Sequence, residues 1–428
     1  MSLVKPASPS RNAANGEHED FDPSWYAAAY PDVAQIAIDP FDHYVRYGKT
    51  LGRRPVPPDR ILTRVVLVVP DVSTIGGISS RTRTVLTNSG GRDVEFMVIT
   101  ARSERGGTIP GELCYAENPE LFTRTLDTWR ANNTAMVISN NAIRSFPTKI
   151  RARIQAFPLV YIYAGQLAFM LQDSTVLKDR SYAKSLKAMR LMAFSDGDIN
   201  FQRQLGIHGQ VKGFAPVKQR AVSHYNPLKN RRLGYVGRID FHAKDSAKLL
   251  DVAEHLRGSS WGPIRMYTTD GRNSPQYQEF RAMASARDLD SEFEFILNER
   301  DKDVIFDELA WLLVPSKKES FGNSLVEAMS YGVPVVAASY APGPAEIVEH
   351  GVSGFLLDSY SGSAVADAVN RPTAAELAEM SHNAFARHKR FGVQDHIDQL
   401  EELARGAVAE FRGENVLQVF PDLKLFEA

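Results

Sequence analysis

Strand-length runs of consecutive apolar residues recur along most of this chain, and between them apolar positions return every three or four residues. The first pattern belongs to strands buried on both faces, the second to helices that bury one face. Runs at Arg64–Pro70, Val94–Thr100, Ala135–Ser139, Leu159–Tyr163 and Met192–Ser195 form one series. Runs at Leu233–Arg238, Ile264–Thr268, Phe293–Leu297, Leu309–Val314 and Val333–Ala338 form a second. Strands alternating with helices predict parallel sheets covered by helices. The series break near Phe214–Arg232, where Pro216, Pro227 and the polar Lys229-Asn230-Arg231-Arg232 interrupt the pattern. Two Rossmann-like, doubly wound α/β domains facing across a cleft are the expectation, and a length of 428 residues exceeds one ordinary core.

The ends of the chain read differently. Residues 1–20 are polar and rich in Pro, Ser, Asn and Gly, the composition of a disordered tail. Residues 21–60 form a small helical module, with Pro23-Ser24-Trp25-Tyr26 opening one helix and Pro40-Phe41-Asp42-His43-Tyr44 a second. Trp25, Tyr26, Tyr30, Tyr44 and Tyr47 are too many aromatics for a linker; packing on the main body is the favoured use, an acceptor or homo-oligomer contact the alternative. Expected boundaries are 61–215 for the first domain, 216–392 for the second and 393–428 for a final helix and tail.

Composition narrows the class. Apolar residues make up 43% and charged residues 24%, as in a globular protein, and a net charge of −1 argues against a nucleic-acid partner. Runs such as Val65–Val69 and Val333–Ala338 fall far short of the ~20 residues that span a bilayer. The polar start has no apolar signal segment, and the single Cys114 permits no internal disulfide, so a cytoplasmic protein is expected. Charge is nevertheless uneven. Between Arg144 and Arg190 nine basic residues (Arg144, Lys149, Arg151, Arg153, Lys178, Arg180, Lys184, Lys187, Arg190) face only Asp173 and Asp179. Solvated helix faces are the ordinary explanation; attraction to an anionic membrane surface is the alternative. Asp196-Gly197-Asp198 and Asp288-Leu289-Asp290 have the loose Asp-x-Asp form of some metal sites, but such pairs are common in loops. No metal is expected from them, and neither a zinc cluster nor a Walker lysine loop is present.

Most of the candidate chemistry lies between Leu313 and Asp358. Leu309–Val314 reads as a buried strand and Pro315–Phe321 as the loop leaving it. A helix should start near Gly322–Ser324, because Leu325, Ala328 and Met329 recur at helical spacing and Gly332 with Pro334 closes the segment. Glu319 then sits in the loop and Glu327 about one turn into the helix, both facing one crevice beside free backbone N–H groups. Two carboxylates and an anion seat suit a sugar nucleotide. Gly237-Arg238 and Lys244 follow the first strand of the second domain, where cations meet a ligand at a strand's carboxyl end. Gly76-Gly77 follows the first strand of the first domain, and glycines there let backbone N–H groups approach a phosphate or sugar.

The segment resembles the Glu-x7-Glu region of retaining GT-B glycosyltransferases, family 4, of the bacterial envelope-polysaccharide type. The likeness extends through Ser320-Phe321-Gly322, Glu327-Ala328-Met329, Gly332-Val333-Pro334-Val335-Val336, Glu346-Ile347-Val348 and Gly354-Phe355-Leu356. The resemblance implies a metal-independent hexosyltransferase that uses a nucleoside diphosphate sugar donor and a glycan or lipid-linked acceptor. It gives Arg238 and Lys244 the diphosphate, Glu327 the ribose hydroxyls and Glu319 a place near the transferred sugar. Gly237, Gly322, Asn323, Ser324, Gly76 and Gly77 line the donor site, and the base rests at Leu297-Asn298. The final helix crosses back to the first domain in such a fold, and residues 21–60 resemble a helical module preceding some of these enzymes. One departure stands out: the family often carries a His after the strand equivalent to Leu159–Tyr163. Here the run is Tyr161-Ile162-Tyr163-Ala164-Gly165-Gln166, which assigns Tyr163 and Gln166 to the acceptor side. A GT-B nucleotide-sugar epimerase and a non-catalytic glycan-binding or assembly subunit remain open beside the transferase.

Overall fold

The computed structural model describes residues 21–30, 32–33, 38–51, 53–55, 62–73, 76–103, 109–130, 133–139, 142–163, 190–204, 210–218, 220–223, 225 and 232–411. Two parallel sheets organise them. The first contains β1 (Arg64–Val69), β2 (Glu95–Thr100), β3 (Glu112–Cys114), β4 (Thr134–Ser139), β5 (Leu159–Tyr163), β6 (Arg190–Ala193) and β7 (Gln210–Lys212), in spatial order β3-β2-β1-β4-β5-β6-β7. The second contains β8 (Arg232–Val236), β9 (Ile264–Thr268), β10 (Phe293–Leu297), β11 (Leu309–Val314), β12 (Val335–Ala338) and β13 (Gly354–Leu357), in order β10-β9-β8-β11-β12-β13. The expected pair of Rossmann-like α/β regions is present. The short strands β3, β7 and β13 escaped the sequence reading, β3 and β7 because three residues carry too little periodicity to mark them.

Burial explains the strand sequences. Leu309–Val314, LAWLLV, is buried at every position because helices cover both faces of its sheet. Register is tied down by the same packing; β1 pairs with β2 as Val65↔Phe96 and with β4 as Val65↔Ala135. A one-residue slip would exchange the two faces of each strand. In both sheets the order reverses beside the first strand, between β1 and β4 and between β8 and β11. That reversal opens a crevice at the carboxyl ends of the strands, where the loops after β1, β8 and β11 emerge.

The helix Val393–Glu410 follows the second sheet in sequence but packs on the first, against β4, β5, β6 and the helix Gly77–Asn88. Its buried stripe of Ile397, Leu400, Leu403, Ala404, Ala407 and Val408 joins the same hydrophobic core as β1 and β11. Arg92 pairs with both Asp398 and Glu401 on its exposed side.

Near the start of the chain, Asp22 caps the helix Pro23–Ala29 through the Trp25 N–H, and Asp39 caps Pro40–His43 through Phe41 and Asp42. Fully buried Tyr26 lies among Phe21, Tyr30, His43 and Tyr44, its hydroxyl 3.1 Å from His43 Nδ1. Arg54 reaches Asn133 at 3.5 Å, just ahead of β4, while Tyr47 stays 48% exposed. Among the described residues no helix is long and apolar enough to cross a membrane.

Candidate active site

The loop after β11 is shaped by two backbone contacts that only glycine permits. Gly322 takes φ +99°, a left-handed conformation that costs a residue with a Cβ roughly 1–2 kcal/mol. It turns the chain directly into the helix Asn323–Ser330, whose first N–H groups have no partner within the helix. Behind the loop lies Gly343, in the helix Pro342–Ile347. A Cβ there would sit 2.4 Å from the Phe321 carbonyl oxygen, so glycine alone allows this approach. The Gly343 N–H donates to the Glu319 carbonyl at 2.8 Å.

A second loop grips the first from the side. After β8, Asp240 accepts hydrogen bonds from the N–H groups of His242 (2.9 Å) and Ala243 (2.6 Å) and pairs with Arg238 at 3.0 Å. Burial alone would raise the pKa of Asp240; those N–H groups and Arg238 outweigh it and hold the carboxylate below its usual range. The Ala243 carbonyl then accepts from the N–H groups of Lys317 (2.9 Å) and Lys318 (3.1 Å). The two loops are thus joined through their backbones.

Each of the two carboxylates from the motif holds a lysine. Lys244 donates its ammonium to Glu319, and Lys302 pairs with Glu327 at 2.7 Å; both glutamates are about four-fifths buried, at 17% side-chain exposure. Lys302 was missed from sequence. The usable signal was its position: it follows the carboxyl end of β10, as Arg238 and Lys244 follow that of β8. Arg238 keeps 63% of its side chain exposed and retains freedom to meet a ligand. Gly237 continues the sheet pairing, its N–H donating to the Tyr267 carbonyl at 3.0 Å. Leu297 ends β10, and Asn298 takes φ +60° with its N–H donating to the Thr268 carbonyl at 2.9 Å. Both residues thus lie at the carboxyl end of β10, ahead of the chain that leads to Lys302.

On the first domain, the Gly76-Gly77 pair opens the helix Gly77–Asn88, which has no side-chain cap. The Asn323 side-chain amide lies 3.5 Å from the Gly77 carbonyl oxygen, and a Cβ on Gly77 would be 3.2 Å from the same amide. Two helix N-termini, one from each domain, therefore converge. Their positive dipole ends repel one another unless an anion lies between them. Ser324 follows Asn323 in the same first turn. Tyr163 ends β5 at the same edge of the sheet; its side chain and Gln166 lie outside the described residues.

Behind this junction runs a chain of aromatic rings. Phe194 and Phe321 are 5.8 Å apart, Phe321 and Phe391 5.4 Å, Phe391 and Phe214 5.8 Å, and Phe214 and His396 5.8 Å. Arg81 lies over Phe194 and donates to the Ser139 hydroxyl at 2.6 Å; burial lowers its pKa to about 10, and it stays charged at neutral pH. Burial first, then Arg81, drives His396 down to about 3 and keeps it neutral. Neither residue was anticipated, since nothing in their sequence neighbourhoods distinguishes them from helix surface and core.

Asp196 and Asp198 go separate ways. Asp196 pairs with Lys212 at 2.5 Å, while Asp198 is buried and accepts from the Ser195 hydroxyl at 2.9 Å. Burial raises the Asp198 carboxyl to about 6, against the lowering effect of Ser195 and Ser320. Among the described residues no three His, Cys, Asp or Glu side chains converge as a metal site. In the basic stretch, Lys178, Arg180, Lys184 and Lys187 lie outside the described residues. Arg153 pairs with Asp127, Arg190 with Glu410, and Arg151 donates to the Phe146 and Arg144 carbonyls, so these charges are engaged within the protein.

Residues 218–387 match the family model described as glycosyl transferases group 1. Among curated proteins, sucrose synthase 2 of Pisum sativum is 29% identical over 131 residues, 29% of this chain and 16% of that protein. The D-inositol 3-phosphate glycosyltransferase of Mycolicibacterium gilvum (strain PYR-GCK) is 37% identical over 106 residues, 25% of this chain and 24% of that protein. The matched part thus spans a quarter or less of these relatives. Among solved structures, Anabaena HepE (Alr3699) in complex with UDP and glucose superposes with a TM-score of 0.64 at 19% identity, covering 79% of this chain and 98% of that one. Sucrose-phosphate synthase from Thermosynechococcus elongatus gives 0.61 at 16% identity, covering 82% and 100%. These likenesses concern the fold.

Proposed function

We propose, from the GT-B fold and the match of residues 218–387 to the glycosyl transferases group 1 model, that the protein is a retaining glycosyltransferase moving a hexose from a nucleoside diphosphate sugar to a glycan or lipid-linked acceptor. The observation that carries the reading is the meeting of two helix N-termini, at Gly77 and Asn323, beside the two loops that hold Arg238 and Lys244 on one side and Glu319 on the other. Such a junction favours a diphosphate by dipole and by charge at once. UDP-glucose is the first donor to test, because HepE of the same fold has been solved with it.

In this reading the diphosphate of the donor falls to named groups of the second domain. Lys244 has three N–H donors, so it can keep Glu319 and still meet a phosphate oxygen. Arg238 swings from Asp240 to the same diphosphate. Together they stabilise the negative charge that builds as the sugar leaves. The departing phosphate oxygen takes the acceptor hydroxyl's proton during attack on the same face, and configuration is retained. Glu327, oriented by Lys302, accepts two hydrogen bonds from the ribose hydroxyls, while the amides of Gly322, Asn323 and Ser324 face sugar and phosphate. The base rests at Leu297-Asn298. Gly76 and Gly77 close over the donor, and the first domain, with Tyr163 and Gln166, receives the acceptor. Closing the cleft excludes the water that would otherwise hydrolyse the donor. A cytoplasmic setting, with the basic stretch at the inner face of a membrane, is part of the proposal.

The test is a product analysis by NMR with UDP-glucose and related donors, with and without a panel of glycan and lipid-linked acceptors. Transfer with retained anomeric configuration is expected. Release of a free epimer from donor alone would replace the transferase with an epimerase, and binding without turnover under every condition would favour an assembly subunit.

A further inference from the structure

Glu346 belongs to the second domain, yet the partners of its carboxylate lie in the first. Its Oε1 accepts the Asp196 N–H at 2.6 Å, and its Oε2 lies 2.7 Å from Lys212 Nζ. Asp196 opens the helix Asp196–Gln204, so Glu346 supplies an anionic cap to a helix of the other domain. A carboxylate there answers both an unpaired backbone N–H and the positive end of the dipole. The contact is close-packed: a Cβ on Gly197 would lie 3.1 Å from Pro342 Cβ.

The same short helix, Pro342–Ile347, reaches the candidate chemistry from its other end. Gly343 lies against the Phe321 backbone, and its N–H holds the Glu319 carbonyl at 2.8 Å. The far end is fixed by Arg387, which donates to the Ile347 and Glu346 carbonyls. The helix is therefore a strut. One face meets the first domain through Glu346, and the other sets the backbone of the residue that carries the Lys244 ion pair.

We infer that Glu346 is a positioning residue that couples closure of the two domains to the placement of Glu319. The inference rests on the transferase reading for its kinetic consequence, not for its structural one. When the cleft shuts, the Asp196 N–H and Lys212 engage Glu346 and press the strut against the Glu319–Gly322 loop. When it opens, the strut loses its first-domain support and the loop loses its set position. Glu319 touches substrate in this reading; Glu346 acts through it.

The experiment compares wild type, Glu346→Ala and Glu346→Gln in the full chain. Spin labels at Glu120→Cys and Glu279→Cys, exposed positions on the two domains, report the interdomain distance. Glu346→Ala should broaden that distance distribution with UDP bound and lower kcat ~10- to 100-fold, the scale of losing a set geometry, while donor Kd moves less than ~3-fold. Glu346→Gln keeps an oxygen for the Asp196 N–H and loses only a partly exposed ion pair, so it should return to within ~3-fold of wild type. A wild-type distance distribution and kcat in Glu346→Ala overturn the inference. So does an equal fall in kcat and donor affinity, with a lowered Tm, that glutamine does not rescue, because that marks a merely structural role. Absence of turnover by wild type with any donor refutes the transferase reading instead, and the distance measurement alone then decides the coupling.

Discussion

The two walls of the cleft are built by different means. The second-domain wall is nearly continuous in sequence: loop, left-handed Gly322, helix N-terminus and two lysine-held glutamates fall between Lys302 and Glu327, joined by Lys244 from the loop after β8. The first-domain wall is assembled from single residues far apart in sequence, among them Gly77, Arg81, Ser139, Phe194 and Lys212. One wall is largely local in sequence, braced by Gly343 and the loop after β8; the other exists only after the sheet has folded. In the proposed reading, a fixed donor seat opposite a scattered surface lets acceptors vary while the donor chemistry stays.

Five single-residue variants put that contrast under strain. The largest effect belongs to Lys244→Ala, which removes a charge at the proposed diphosphate and frees Glu319 from its partner. A fall of ~10²–10³ in kcat is expected, measured by donor turnover. Full activity in the Arg238→Ala/Lys244→Ala double variant would remove the second-domain wall from the chemistry.

Next is Asp198, on the first-domain wall. Its folded-state pKa is raised from 3.8 to about 6, chiefly by burial, with Glu346 adding repulsion and Ser195 and Ser320 opposing. A carboxyl raised in this way favours the folded state while protonated, so its stabilising contribution is complete below the unfolded pKa and is lost as pH rises through 6. Asp198→Asn should therefore raise stability at pH 8 relative to wild type by up to ~3 kcal/mol, and by almost nothing at pH 4. Tm measured across that pH range checks it; a gain that is the same at both ends would show that ionisation of Asp198 is not the cause.

Gly322→Ala and Gly76→Ala then sharpen the comparison directly. A Cβ at Gly322 has φ +99° and Glu319 Cγ at 3.3 Å, so alanine should cost roughly 1–2 kcal/mol and weaken donor binding as well. At Gly76 a Cβ meets nothing within 4 Å, so alanine should leave Tm unchanged and affect only what enters the cleft. Equal losses of Tm would erase the distinction between a strained seat and an open one. The smallest effect is expected of Lys302→Gln, whose half-exposed pairing with Glu327 contributes ~0–1 kcal/mol. Donor Kd should weaken a few-fold in calorimetry with kcat unchanged.

Legibility in sequence follows the same division. The sheets were visible because strands covered on both faces must be apolar throughout, as Leu309–Val314 shows. The helix over Asn323–Ser330, its Gly322 entry and the facing glutamates were visible because a left-handed turn and a helix start leave local marks. Lys302 was hidden because its partner is 25 residues away. Glu346 was seen as part of a motif, but its bonds to Asp196 and Lys212 depend on how two domains meet, which no local pattern records. Arg81 and His396 were hidden for a related reason: their surroundings come from four elements distant in the chain.

Calorimetric titration of UDP-glucose into wild type and into the Lys244→Ala/Glu327→Ala double variant tests the donor seat most directly. Saturable one-to-one binding to wild type, lost or weakened more than ~30-fold in the double variant whose Tm is unchanged, is the expected result, since two charged contacts of ~1.5–3 kcal/mol each are removed. Binding of undiminished affinity in the double variant would place the donor elsewhere and contradict the assignment of the second-domain wall.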